Sequence, residues 1–211
     1  GARNPESMRL RFHCQTAAAS LTKPQYQINV VRTALQALSA VLGGAQSLHT
    51  NSFDESYAIP TEEAARLALR TQQILAEETN VDAVVDPLGG SYYVEWLTDE
   101  VERRIRAVLD EIDARGGMIA ATESGWVQSQ IADTAYGVMQ RKARGEKISV
   151  GVNKYVEDGP GPTFAVHAPD PAVAARQLER LSAVKARRDT ARVQSLLAQL
   201  RELATTDANL L

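Results

Sequence analysis

Apolar and polar positions alternate at two different periods along this chain, and the period changes mark its elements. Over residues 8–13, Met8, Leu10 and Phe12 alternate with Arg9, Arg11 and His13, which predicts a strand carrying those three basic side chains on one face. Ile28, Val31, Leu35, Leu38 and Leu42 then recur at three and four, predicting a helix that Gly43-Gly44 ends. Ala45–His49 reads as a second short strand, followed by a polar loop, Thr50-Asn51-Ser52-Phe53-Asp54-Glu55. Pro60-Thr61-Glu62-Glu63 opens another helix with a capping hydroxyl and two acids suited to its positive end, and its apolar stripe runs to about Glu78. Val81–Asp86 is β-branched and bounded by Pro87 and Gly89-Gly90, which predicts a third strand over 82–86.

Strand, helix, strand, helix, strand implies an α/β fold with parallel pairing, in which the loops after the strands carry the chemistry. From Tyr92 the period is helical throughout: Leu97, Val101, Ile105, Leu109 and Ile112 predict one long amphipathic helix, with further helices over about 118–123 and 126–144. Val150–Tyr155 reads as short and extended, and residues 156–171 hold four of the eight prolines, so the chain divides into 1–155 and a connector with helical segments over 156–211. Asp170-Pro171 starts a helix to about 187, and Val193, Leu196, Leu197, Leu200 and Leu203 mark another. Three strands cannot close a barrel, so the sheet is incomplete on its own.

Composition narrows the function. The chain has 211 residues, 44% hydrophobic and 23% charged, a globular balance. Its 23 Lys+Arg and 26 Asp+Glu leave a net charge of -3, so there is no basic field to draw nucleic acid or an anionic membrane. Val30–Leu48, the best candidate span, is interrupted by Arg32, Thr33 and Gln36 at the spacing of a polar helix face, which argues against a transmembrane helix. The single Cys14 cannot form an internal disulfide, which points to a reducing compartment and a cytoplasmic location. The chain starts at Gly1 with no visible leader, and reads as a piece of a longer polypeptide.

Two polar clusters are candidates for chemistry. Arg11, His13 and Gln15 offer a cation, an imidazole and an amide to one polar ligand, or else form a solvated strand face. Gln46, Ser47, His49, Asn51, Asp54 and Glu55 lie at and beyond a strand end, as a binding cluster or as a turn and capping network. His13, His49, Asp54 and Glu55 lack the tight spacing of a metal site. Cys14 and His49 lack a nucleophile elbow, Gly89-Gly90-Ser91 lacks the lysine of a phosphate loop, and Lys185, Arg187 and Arg188 read as a solvated helix face.

Four strings decide more. Arg11-Phe12-His13-Cys14-Gln15-Thr16, Gly43 through Glu55, Asp86 through Glu95, and Gly151-Val152-Asn153-Lys154-Tyr155 together resemble the catalytic large subunit of methylmalonyl-CoA mutase and its acyl-CoA mutase relatives, in order across about residues 1–204. The resemblance implies the last three β/α units, strands six to eight, of a TIM-type (β/α)8 barrel, followed by additional helices. Such a barrel threads coenzyme A along its axis, with adenosylcobalamin between its C-terminal face and a separate cobalamin-binding domain. By the same resemblance Arg11, His13, Gln15, Gln46 and Ser47 lie near the acyl-CoA substrate, and Glu55 and Ser56 near the cofactor. Ser56 departs from the family, where many members have Ala. The implied reaction is a radical 1,2-rearrangement of a short-chain acyl-CoA, such as methylmalonyl-CoA to succinyl-CoA, with isobutyryl-CoA as an alternative substrate. The resemblance also implies that the first five strands, with the family's substrate-carboxylate arginine and the tyrosine by the corrin, fall outside this chain, as does the Asp-x-His-x-x-Gly cobalt ligand. The resemblance therefore implies a partner chain that supplies the missing strands and an inactive isolated piece. A non-catalytic assembly module is the other reading.

Overall fold

A computed structural model describes residues 3–159, 167–168 and 170–210. These fall into two units, Gly1–His167 and Ala168–Leu211.

The first unit begins with one helical turn, α1 (Pro5–Met8), which takes in Met8, the first residue of the strand expected over 8–13. Asn4 is the reason: its side chain accepts from the Glu6 amide at 2.9 Å while Pro5 fixes the first helical φ. Met8 is thereby drawn into a turn, and the strand starts five residues later, as β1 (His13–Gln15). The second strand, β2 (Ser47–His49), pairs with β1 in parallel, His13 opposite Ser47, Cys14 opposite Leu48 and Gln15 opposite His49. Between them run two 3-10 turns and α2 (Asn29–Leu42), so the connection is a β-α-β crossover of the expected kind.

The third expected strand does not form. Among the described residues the sheet has two strands, and Val81–Asp86 is a string of turns. Both ends of the segment are locked locally. Asn80 takes a left-handed φ of 54° and its carbonyl accepts from Ala83, while Asp86 is left-handed at 49° and accepts from Gly89. Val85 is 99% exposed, since no neighbouring strand is present to cover a segment whose β-branched side chains suit a sheet buried on both faces. Three complete β/α units are therefore not seen. The architecture is a small parallel sheet within a mostly helical α/β chain.

α3 (Glu62–Glu78) starts at Thr61, whose hydroxyl accepts from the Ala64 amide at 3.2 Å. It packs against α2, and α2 also packs against β2. The enclosed positions of α2 are Asn29, Thr33 and Ala37, two of them polar, while Val31 and Leu35 are 59% and 60% exposed. The apolar period is therefore legible as a helix, while its stripe is only partly covered: Ile28, Leu38 and Leu42 are half-buried and Val31 and Leu35 exposed.

Beyond Gly90 come α4 (Tyr92–Ala114), α5 (Met118–Glu123) and α6 (Trp126–Ala143). α4 is laced by ion pairs from Glu100 to Arg103 and Arg104, and it buries none of its side chains. Residues 150–155, expected to be extended, curl instead into a turn with a Val150–Lys154 bridge. Asn153 imposes the curl. Its Oδ1 accepts from the Ser149 amide, and its Nδ2 donates to the carbonyls of Lys142 and Lys147. The second unit holds α7 (Ala172–Arg187), whose first turn donates from Ala172 to Asp170 Oδ1, and α8 (Thr190–Leu203), capped by Asp189. Residues 160–166 and 169 of the expected connector lie outside the described residues. No helix among the described residues is long and apolar enough to cross a membrane.

Candidate functional site

The two strands set their side chains on opposite faces of the sheet. Cys14 and Leu48, paired in register, are half-buried, whereas His13, Gln15, Ser47 and His49 are exposed together on the other face. That exposed face is polar at every position, which suits water or a polar ligand and not a packed core.

His13 and Ser47, expected from the sequence to lie near one ligand, do meet: His13 Nδ1 and Ser47 Oγ are 2.7 Å apart across the strands. Gln15 stands beside His49 in the register, and no side-chain hydrogen bond engages Gln15 among the described residues. Gln46 plays a different part. Its Oε1 accepts from the Phe12 amide at 2.8 Å, its Nε2 donates to Gly44, and its own amide donates to the Phe12 carbonyl, so this side chain splices the two strand entrances together. Arg11 is exposed one position before that splice, outside the strand, with its guanidinium unpaired among the described residues. A cavity of about 370 Å³ lies against Gln46, Ser47 and Leu48, walled on its far side by Gln72, Leu75 and Val81.

The strand ends lead into a buried polar layer. Thr16 Oγ1 donates to Asn51 Oδ1 at 2.7 Å and accepts from the Asn51 amide at 2.8 Å, and Thr33 donates to the Asn51 carbonyl. Thr50 donates to the Ala68 carbonyl in α3. This layer fixes how the 51–61 loop leaves the sheet. Glu55 sits on that loop, exposed, with its carboxylate unpaired among the described residues. Ser56 differs from it: its hydroxyl donates to the Thr22 carbonyl at 3.2 Å, so it is tied to backbone. The loop's supports, Asn29 and Arg32, were visible in the sequence only as polar interruptions of an apolar helix. Their spacing three apart, on the same helix as Thr33 and Gln36, was the available signal.

A family model described as methylmalonyl-CoA mutase matches residues 1–211. The chain belongs to the methylmalonyl-CoA mutase family. It is 60% identical over 208 residues to the 2-hydroxyisobutanoyl-CoA mutase large subunit of Aquincola tertiaricarbonis, a match that covers 99% of this chain and 37% of that protein. It is 42% identical over 211 residues to the methylmalonyl-CoA mutase of Escherichia coli, covering 100% of this chain and 30% of that protein. The human mitochondrial methylmalonyl-CoA mutase is 41% identical over 210 residues, with 99% of this chain and 28% of that protein covered. The chain thus spans about a third of the length of these mutase relatives.

No group of three or more His, Cys, Asp or Glu residues able to hold a metal ion occurs among the described residues.

Proposed function

We propose that this chain is part of an adenosylcobalamin-dependent acyl-CoA mutase, an intramolecular transferase that rearranges the carbon skeleton of a short-chain acyl-CoA. The observation that carries the reading is the wholly polar, exposed face of the β1–β2 sheet in a chain whose entire length matches this family. In this reading the two strands belong to a (β/α)8 barrel completed by another part of the polypeptide or a partner chain, and their polar face lines the channel that takes the acyl-CoA.

Each residue then has a task of its own. Arg11, an unpaired cation at the strand entrance, pairs with an anionic part of coenzyme A. His13, oriented through Nδ1 by Ser47, presents its other ring nitrogen toward the acyl-CoA, and Gln15 offers an amide that can both donate and accept. Gln46 and Ser47 hold the channel wall at fixed width. Glu55, exposed with both oxygens available, is suited to accept hydroxyl donors of the cofactor, and Ser56 sets its loop. The donor set fits the periphery of a cobalamin site. It does not supply a cobalt ligand in the family's motif, so a cobalamin-binding domain or subunit provides that contact. When bound, adenosylcobalamin supplies the radical chemistry of the 1,2-shift, and the residues of this chain bind, orient and keep out water.

The substrate in this reading is a short branched acyl-CoA, of which methylmalonyl-CoA is one. The 60% identity to a 2-hydroxyisobutanoyl-CoA mutase large subunit, against 42% to the Escherichia coli enzyme, favours a second reading in which the substrate carries a hydroxyl rather than a carboxylate at the branch.

The test is rearrangement assayed in the assembled enzyme with methylmalonyl-CoA, isobutyryl-CoA and 2-hydroxyisobutanoyl-CoA. Replacing His13 or Gln15 by Ala is expected to cost about 1 to 3 kcal/mol of acyl-CoA binding or turnover, because each change leaves a buried ligand group unpaired. Turnover and KM unchanged in both variants would return the sheet face to a solvated surface. The 211-residue chain alone is expected to be inactive on all three substrates, and turnover by it would overturn the division of labour described above.

A further inference from the structure

Beyond the Thr16, Thr33 and Thr61 contacts, the Glu55–Ser56 loop is held by one short stretch of chain, residues 22–29. Asn29, fully buried, donates through Nδ2 to the Phe53 carbonyl at 2.9 Å and to the Thr22 carbonyl at 2.9 Å. Ser56 donates to that same Thr22 carbonyl, and the Tyr57 hydroxyl donates to the Lys23 carbonyl at 3.0 Å. Tyr26 packs its ring tilted against Phe53 and edge-on against Tyr57, at centroid distances of 5.5 and 5.9 Å. Phe53 on one side of Glu55, and Ser56 and Tyr57 on the other, are thus anchored on 22–29, while Asp54 is tied to Thr61.

That anchor is itself propped from far along the sequence. Arg32 Nη1 donates to Asn29 Oδ1 at 2.7 Å and to Thr22 Oγ1 at 2.9 Å, while its Nη2 reaches the Val150 carbonyl at 2.7 Å. Gln25 Nε2 donates to the Tyr155 carbonyl at 2.8 Å. Three left-handed residues converge on this contact: Gln25 at φ 48°, Tyr155 at 57° and Gly151 at 78°. A Cβ on Gly151 would stand 3.1 Å from Gln25 Cδ. Two non-glycine residues held in the left-handed region at one contact are a local cost, and such a cost persists only where the surrounding structure fixes it.

We propose that Asn29 and Arg32 are positioning residues for the Glu55–Ser56 loop, and that the Gly151–Tyr155 turn is the prop that fixes their geometry. Arg32 suits the role because its planar guanidinium satisfies acceptors on two sides at once, which a lysine ammonium cannot do in the same plane. The turn's sequence, Gly-Val-Asn-Lys-Tyr, follows from it: Gly151 for the left-handed φ and the close Gln25 side chain, Asn153 to shape the curl, Tyr155 to present its carbonyl. The effect on catalysis rests on the reading of Glu55 and Ser56 as cofactor-side residues, whereas the positioning itself does not.

Hydrogen exchange on the 211-residue chain tests the positioning directly. In Arg32→Met and Gln25→Ala, the Glu55, Tyr57 and Ala58 amides, which donate to Ser52 and Asp54, should exchange about tenfold faster, the loss of roughly one hydrogen bond's worth of order, with α3 and α6 amides unchanged. Arg32→Lys should fall between wild type and Arg32→Met. Faster exchange confined to 148–155, or spread evenly over every helix, would overturn the proposal. In the assembled enzyme, Arg32→Met should weaken cobalamin binding, read from corrin absorption, about tenfold while the acyl-CoA KM moves less than twofold. Loop amides that speed up with cobalamin binding unchanged would support the positioning and remove the cofactor-side assignment of Glu55.

Discussion

Asp54, next to the loop's exposed Glu55, is 2% exposed and uses only one of its two oxygens. Oδ2 accepts from the Thr61 amide at 2.9 Å and the Thr61 hydroxyl at 3.2 Å, which links the loop to the start of α3, while Oδ1 has no hydrogen-bond partner among the described residues. Replacement by Asn keeps an oxygen for Thr61 and removes a buried charge, whereas Ala removes both acceptances. Asp54→Ala is therefore expected to lower stability by about 1 to 3 kcal/mol in urea unfolding, and Asp54→Asn to stay within about 1 kcal/mol of wild type. Equal losses in the two would mean that the charge itself is in use. Thr16→Val offers a parallel case, since it keeps shape but strips both hydrogen bonds to Asn51, and should cost a similar amount. Sequence reasoning left the 46–55 cluster open between binding and turn chemistry. The structure divides it residue by residue: Asn51 and Asp54 are buried scaffolding, while Ser47, His49 and Glu55 face outward.

Helices were more legible than strands, because a helix satisfies its own backbone while a strand needs a neighbour that the sequence does not name. The start of α3 was readable from Thr61 and its two following acids, and the end of α2 from Gly43-Gly44. Val81–Asp86 has strand composition and no partner strand, so local turns at Asn80 and Asp86 win. On α2, Asn29 and Thr33 find enough acceptors to be worth burying, and the apolar Val31 and Leu35 line a groove of about 1120 Å³ together with Val138, Ile148 and Val152. On α4, hydrogen bonds from Arg103 and Arg104 hold the Glu100 carboxyl at about 2, below its ordinary 4.5. A depressed carboxylate stabilises above its ordinary value and loses that contribution as pH falls through the window from about 4.5 to about 2. The helical circular dichroism of α4 should therefore be steady from neutral pH to about 5 and weaken below, and Glu100→Gln should abolish that acid-side component. An identical acid profile in Glu100→Gln would place the sensitivity elsewhere.

Among the described residues, more large apolar side chains are exposed than buried. Trp96, Leu97, Val101, Ile105, Val108 and Leu109 are all exposed along α4, and such a stripe on an isolated chain favours association. Light scattering should show apparent mass rising with concentration, and Val101→Glu with Ile105→Lys should reduce that rise without altering helix content; a concentration-independent monomer would refute this. The enclosed residues tell the complementary story. Among the described residues the buried apolar set is Leu21, Tyr26, Ala37, Ala64, Ala68, Leu75 and Ala121, in which alanines predominate, and it is accompanied by a comparable set of buried threonines, asparagines, serine and aspartate. Exposing apolar groups on unfolding raises heat capacity and exposing polar groups lowers it, so the two halves of this interior pull in opposite directions calorimetrically. The heat-capacity increment of unfolding should fall well below the usual ~12 to 15 cal/mol/K per residue. The chain's stability curve would then be shallow and broad, changing little between refrigerator and body temperature and displaced chiefly by whatever binds to it.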